Sequence, residues 1–275
     1  MNRPLASLLL LGGVFLLEGA SGLLAQRSYS TAPNPLDPNV PRSQIVVGPT
    51  VGVTRNWHTG GFRTIDEPNC PTFEQGAGWG VLAGLTAEYQ TPWNWTVVGR
   101  VSYQTRPGSF RQYLPDAEVI LPSSQTSTTQ TVRTDATITY NLVAAELAYN
   151  HRVARLAKGV FLNVEAGPAF SVVLGGSNRQ VQDLIEPQNA RFVNPDRLPE
   201  ENNGRRLILF DGQIPGRNST RFSMKGGVQL EVGLFGNDWI MYPGIYFDYG
   251  LSRVTNNENW NLNTAMFQVD FRHAF

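Results

Sequence analysis

The chain has 275 residues, of which 41% are hydrophobic and 16% charged, with 22 Lys and Arg against 22 Asp and Glu. That length suits one sizeable domain, and the balanced charge gives no electrostatic reason to expect a nucleic-acid partner. The 27 glycines and 11% aromatics lean towards β structure, and a mean hydropathy of −0.23 is too polar for a helical membrane protein.

Arg3, the apolar run Leu8 to Leu17 and the small residues Gly19, Ala20, Ser21 and Ala25 read as a secretory signal peptide over residues 1–25. Cleavage is expected after Ala25, with the Ala20 to Gly22 region as the competing site. The run is too short to cross a bilayer as a helix, and no cysteine is near it to carry a lipid anchor. Cys70, the single cysteine, cannot form an internal disulfide. Residues 26–43, rich in Pro, Asn and Ser, cannot bury enough apolar surface to fold and predict a flexible leader.

Residues 44–275 then alternate. Ile45 to Trp57 places Val47, Val51 and Val53 opposite Thr50, Gly52, Thr54 and Asn56. Ala77 to Tyr89 and Trp95 to Tyr103 repeat the period of two. In Thr137 to Arg152 the parity slips: Ile138, Tyr140 and Leu142 fall on one side, Val143, Leu147 and Tyr149 on the other. A β-bulge near Leu142 would restore a single apolar face. Val160 to Leu174, Phe222 to Leu234, Ile240 to Leu251 and a terminal strand ending Phe267 to Phe275 bring the count to eight.

The connections Gln90 to Asn94, Val153 to Lys158 and Phe235 to Trp239 are short. His58 to Gly76, Arg106 to Ala136, Gly175 to Arg221 and Ser252 to Asn263 are long, and the two kinds alternate strictly. This predicts an all-β, eight-stranded antiparallel up-and-down transmembrane barrel. Short periplasmic turns, long extracellular loops and periplasmic termini would place it in a bacterial outer membrane. Trp57, Trp79, Tyr89, Trp95, Tyr103, Tyr149, Trp239 and Phe275 near strand ends fit interfacial girdles. Phe267, Phe271 and the terminal Phe275 resemble the C-terminal signal read by the barrel assembly machinery.

An eight-stranded barrel is only wide enough to be filled by side chains. The inward charges expected are Arg100, Lys225 and Arg272 with Glu88, Glu146, Glu165, Glu231, Asp248 and Asp270, an excess of acids that would call for water, shifted protonation or lumen tyrosines. A sealed ion-pair network is the first expectation, and a narrow path for ions or protons is the alternative.

Val47-Gly48-Pro49-Thr50-Val51-Gly52-Val53, Asn141-Leu142-Val143-Ala144-Ala145-Glu146-Leu147 and Val164-Glu165-Ala166-Gly167-Pro168-Ala169-Phe170-Ser171 resemble strands of the PorT-like outer-membrane barrels of Bacteroidetes and Chlorobi, within the small OmpA and OmpX kind of eight-stranded barrel. The resemblance spans roughly residues 44–275. It implies a part in secretion, envelope integrity or adhesion, with an envelope or secretion protein as partner.

For chemistry the material is thin. His151 and His273 fall near one end of the barrel, whereas His58 opens the first long loop, where a hydrolase would need it beside Asp66 or Glu67, and a metal site beside Asp66, Glu67 and Cys70. The spacing matches no tight ligand motif. No enzyme activity, cofactor or metal is expected. The longest loop, Gly175 to Arg221, carries Arg179, Arg191, Arg197, Arg205, Arg206 and Arg217, which could meet lipopolysaccharide phosphates, and an apolar run, Leu207 to Phe210, that could extend the barrel as a hairpin or offer an adhesive edge. The expected function is therefore non-enzymatic: envelope structure, surface interaction or an accessory role in secretion. Lipids of the outer membrane are the expected surroundings. A solute channel and an outer-leaflet lipid-modifying enzyme are the alternatives.

Overall fold

The computed structural model describes residues 45–63, 72–91, 95–121, 124–157, 159–186, 191–192, 198–234 and 239–274. The expected signal peptide, the leader and Phe275 lie outside the described residues, as do Asp66, Glu67 and Cys70.

Period-two patterning yields strands throughout: β1 Ile45–Phe62, β2 Phe73–Gln90, β3 Trp95–Thr105, β4 Gly108–Leu121, β5 Ser124–Ala157, β6 Val160–Glu186, β7 Glu200–Glu201, β8 Arg206–Gln213, β9 Thr220–Gly233, β10 Trp239–Gly250 and β11 Asn261–Ala274. Eight of them, β1, β2, β3, β5, β6, β9, β10 and β11, pair antiparallel in that order, and β1 against β11 closes the circle. Closure leaves this part of the sheet without an edge. The short connections all lie at one end of the barrel and the long ones at the other.

The long segments between strands are largely not loops. β5 and β6 continue past the barrel and pair from Tyr140↔Gly176 to Thr131↔Glu186, with β4 on the far side of β5 and β8 and β7 on the far side of β6. A five-stranded sheet, β4-β5-β6-β8-β7, therefore rises above the barrel. The run Leu207 to Phe210 lies in β8, the hairpin alternative of the sequence reading. The Ser- and Thr-rich stretch before Thr137 lacks apolar alternation and so reads as loop. Its β-branched threonines and the cross-strand ion pairs described below hold it as strand.

The parity slip resolves differently from the expectation. The ladder does shift at Asn141/Leu142, but the extra residue is on β6, where the inward side changes from odd positions up to Val173 to even positions from Gly176. β5 keeps one phase, and Ile138, Tyr140 and Leu142 are fully buried inside the barrel. They face inward because this end of the lumen holds an apolar core rather than charge.

Three prolines sit inside barrel strands, each beside a gap on one flank only. Pro49 is paired with β2 and skipped by β11, Pro168 is paired with β9 and skipped by β5, and Pro243 is paired with β11 and skipped by β9. A residue with no N–H can serve one ladder and must loosen the other.

Candidate functional site

Among the described residues, the lumen holds most of the buried charge. Every inward residue follows from strand parity, and all nine predicted charges are buried there: Glu88, Arg100, Glu146, Glu165, Lys225, Glu231, Asp248, Asp270 and Arg272. The predicted acid excess is corrected, because Arg106, Arg152 and Arg221 are buried with them, giving six bases to six acids among the described residues. Arg106 follows β3 directly, Arg152 stands near the short-turn end of β5 and Arg221 is the second residue of β9, positions that the sequence places in a loop or at a strand boundary. Extending the parity one step, from Gln104 to Arg106, Asn150 to Arg152 and Ser223 to Arg221, is the signal that finds them.

The pairs stack in tiers. Nearest the short turns, Arg272 bridges Glu88 and Asp270, the latter at 2.5 Å, with its guanidinium 4.0 Å from the Tyr242 ring centre. In the same tier Arg152 pairs with Glu231, which also accepts from Asn163 at 3.1 Å. In the middle, Arg100 on β3 grips Glu165 on β6 and donates to Asp270 on β11 at 2.9 Å. Lys225 donates to Glu146 at 2.7 Å and Gln268 at 2.9 Å. The Tyr246 hydroxyl donates to Gln229 at 2.7 Å. Higher up, Asp248 accepts from Arg106 at 2.7 Å and Arg221 at 2.8 Å.

Above the last tier the interior turns apolar and aromatic. His58, expected at the start of a loop, is wholly buried there because β1 continues to Phe62. The indole N–H of Trp260 donates to its Nδ1 at 3.1 Å, which leaves the proton on Nε2, directed at the Pro107 carbonyl 3.4 Å away. Phe110 packs edge-on against both rings, with centres 5.4 Å from His58 and 6.0 Å from Trp260. Phe73, Ile138, Tyr140, Leu142, Val254 and Leu262 complete the plug. This imidazole is enclosed by the aromatic plug, the Trp260 N–H and the Pro107 carbonyl, away from the surface. His151 stacks on Tyr149 and His273 meets Trp239 edge-on, both at the short-turn end.

In the projecting sheet, charges pair across strands. Asp183 accepts from Arg206 at 2.5 Å and Arg133 at 2.8 Å, and Arg111 donates to Asp135 at 2.8 Å. Burial opposes ionisation of Asp183, but hydrogen bonds from Arg206 and Arg133 outweigh it and hold the carboxyl below its usual range. Of the arginines considered for phosphate, Arg179 pairs with Glu201 and Arg205 donates to the Leu184 carbonyl at 3.1 Å, while Arg197 lies outside the described residues.

The outer wall is the reverse of the lumen. Val51, Val53, Val81, Leu85, Val101, Leu147, Val172, Val228, Ile245 and Phe267 are exposed in a continuous belt. Tyr89, Trp95, Tyr149 and Trp239 ring one margin, and Trp57, Trp79, Tyr103, Phe222 and Tyr249 the other.

No family model matches the chain, and no curated protein is similar enough to match it. Among solved structures it is similar to Neisserial surface protein A, at 9% identity and a TM-score of 0.37 over 86% of this chain and 100% of that one. Ail, the attachment invasion locus protein of Yersinia pestis, gives 11% and 0.29 over 82% and 97%. The outer membrane protein OprG from Pseudomonas aeruginosa gives 8% and 0.33 over 85% and 97%. None of these supports the PorT-like resemblance in particular, and what stands is a small antiparallel β-barrel read from its own strands.

Proposed function

We propose that the chain is a sealed, non-catalytic outer-membrane barrel that carries a β-sheet platform at the cell surface for interaction with an envelope or extracellular partner. The belt supports the membrane part. Tyr89 and Trp79 on β2 are ten residues apart, as are Trp239 and Tyr249 on β10. At about 3.4 Å per residue and a tilt of about 45°, the margins stand about 24 Å apart, close to the apolar band of about 25 Å typical of such barrels. Phe267, Phe271 and Phe275 suit recognition by the assembly machinery, the long-loop end suits the outer leaflet with its lipopolysaccharide, and the termini suit the periplasm. A secretion accessory of the PorT-like kind is one form of the same platform reading.

The observation that carries the sealed reading is Arg100, whose guanidinium spans from β3 to carboxylates on β6 and β11 and so crosses the lumen. Planar-bilayer recording of the purified protein should show no discrete openings. Regular single-channel steps from the wild-type chain would replace the platform reading with a conduction one.

A further inference from the structure

Between the two aromatic margins, the outward positions of the eight barrel strands hold one charged side chain among the described residues, Arg55. Its neighbours on that face are Trp79 across β2 and Ala265 across β11, with Val53 and Trp57 along β1. The diagonal positions are Ala77 and Val81 on one side and Asn263 and Phe267 on the other, so no carboxylate is placed to pair with it. The guanidinium instead lies 5.2 Å from the Trp79 ring centre, and the small Ala265 leaves a notch beside it that Phe247 bounds on β10. Trp57 and Phe247, 6.4 Å apart, close the far wall. A cation on a hydrocarbon-facing wall is tolerated only near the interface, and stacking on indole holds its fork open rather than neutralising it.

We propose that Arg55 and the Trp79–Ala265–Phe247 notch form a binding site for the phosphate of an anionic lipid headgroup in the leaflet at the long-loop end. The inference rests on the membrane reading above. At that height the anion available in quantity is a lipid phosphate, and an arginine can hold it by two parallel N–H···O bonds while the acyl chain runs down over Val53 and Phe267. The girdle would then select lipids as well as fix depth.

The test uses the full chain and an Arg55→Gln variant, each reconstituted into phosphatidylcholine vesicles doped with phosphatidylglycerol or with lipid A, then extracted for native mass spectrometry. The wild type should retain the anionic lipid in preference to phosphatidylcholine, whose phosphate is offset by its own choline, and Arg55→Gln should lower that retention roughly tenfold, the loss expected for a hydrogen-bonded charge pair. Arg55→Lys should retain less than the wild type, because a point charge loses both the fork and the stacking. Equal retention by Arg55→Gln overturns the site, as does displacement of the lipid by inorganic phosphate, which would make it a free-phosphate site. Failure of the wild-type chain to enter vesicles at all would sink the membrane reading first, and the site with it.

Discussion

Arg100 is the side chain on which the lumen's charge balance turns. Its three acidic neighbours, Glu165, Asp270 and Glu146 at 3.7 Å, sit on three different strands, so its loss leaves carboxylates facing one another inside a wall of strands. Removing one member of a buried ion cluster typically costs about 3–5 kcal/mol, more than the pair itself contributes. Arg100→Gln should therefore lower the detergent melting temperature clearly, and adding Glu165→Gln should restore much of the loss. An unchanged melting point in the single variant would mean that Arg100 makes no net contribution to the stability of the lumen. At Trp260 the stake is smaller. Trp260→Phe keeps an aromatic side chain but removes the donor to His58 and part of the indole volume, an expected cost of about 1–3 kcal/mol from the unsatisfied buried group with a cavity cost added to it, measurable in the same melt.

At the level of elements, the Gly-Pro pairs explain how strands can carry proline without breaking the cylinder. A Cβ at Gly48 would stand 1.7 Å from the Phe271 carbonyl oxygen on β11, and one at Gly167 2.0 Å from that of Leu147 on β5. Glycine lets the neighbouring strand close in where the proline has loosened the ladder. Gly48→Ala should thus impair closure at the β1–β11 seam, seen as loss of the fast-migrating unboiled band on a denaturing gel, whereas a fully heat-modifiable variant would show that the seam tolerates spreading. The projecting sheet obeys a different chemistry. The Asp183 carboxyl is held below its ordinary pKa, so its contribution is present above about pH 4 and is lost as pH falls through the lower folded-state value. Hydrogen-exchange protection, measured relative to the intrinsic amide rate at each pH, should fall in residues 131–134, 181–184 and 206–208 on acidification towards pH 3 while the barrel strands keep theirs, and Asp183→Asn should show the lower protection at both pH values. Barrel strands were legible in the sequence because an apolar outer wall and a charged interior enforce a clean period of two. β4, the upper halves of β5 and β6, and β8 were not: inner positions of the projecting sheet such as Thr134, Asn178 and Gln180 are buried but polar, so no apolar period marks it. The same limit hid Arg106, Arg152 and Arg221: each lies where the outer residues stop being apolar, and only the inner parity still marks it.

For the whole molecule, two unlike seals stand in series. The lower one is ionic and runs from Arg272 to Asp248; the upper one is the plug of His58, Phe110, Trp260, Tyr140 and Leu142. An eight-stranded cylinder has room for little beyond its own side chains, so opening either layer still leaves the other across the only route. Water admitted through a thinned plug meets Arg106 and Arg221 clamped on Asp248, and water admitted past a missing Arg100 stops at an aromatic ceiling that offers it almost no partners. Arg100→Ala and Trp260→Ala should each remain electrically silent in planar bilayers, and the double variant should show small, brief openings. The unboiled gel band of each variant establishes first that the cylinder has closed. Conductance in Trp260→Ala alone would place the barrier wholly in the plug, and silence in the well-folded double variant would mean that the remaining ionic tiers, Arg106 and Arg221 on Asp248 and those around Arg272, Glu88, Arg152 and Glu231, seal the lumen by themselves.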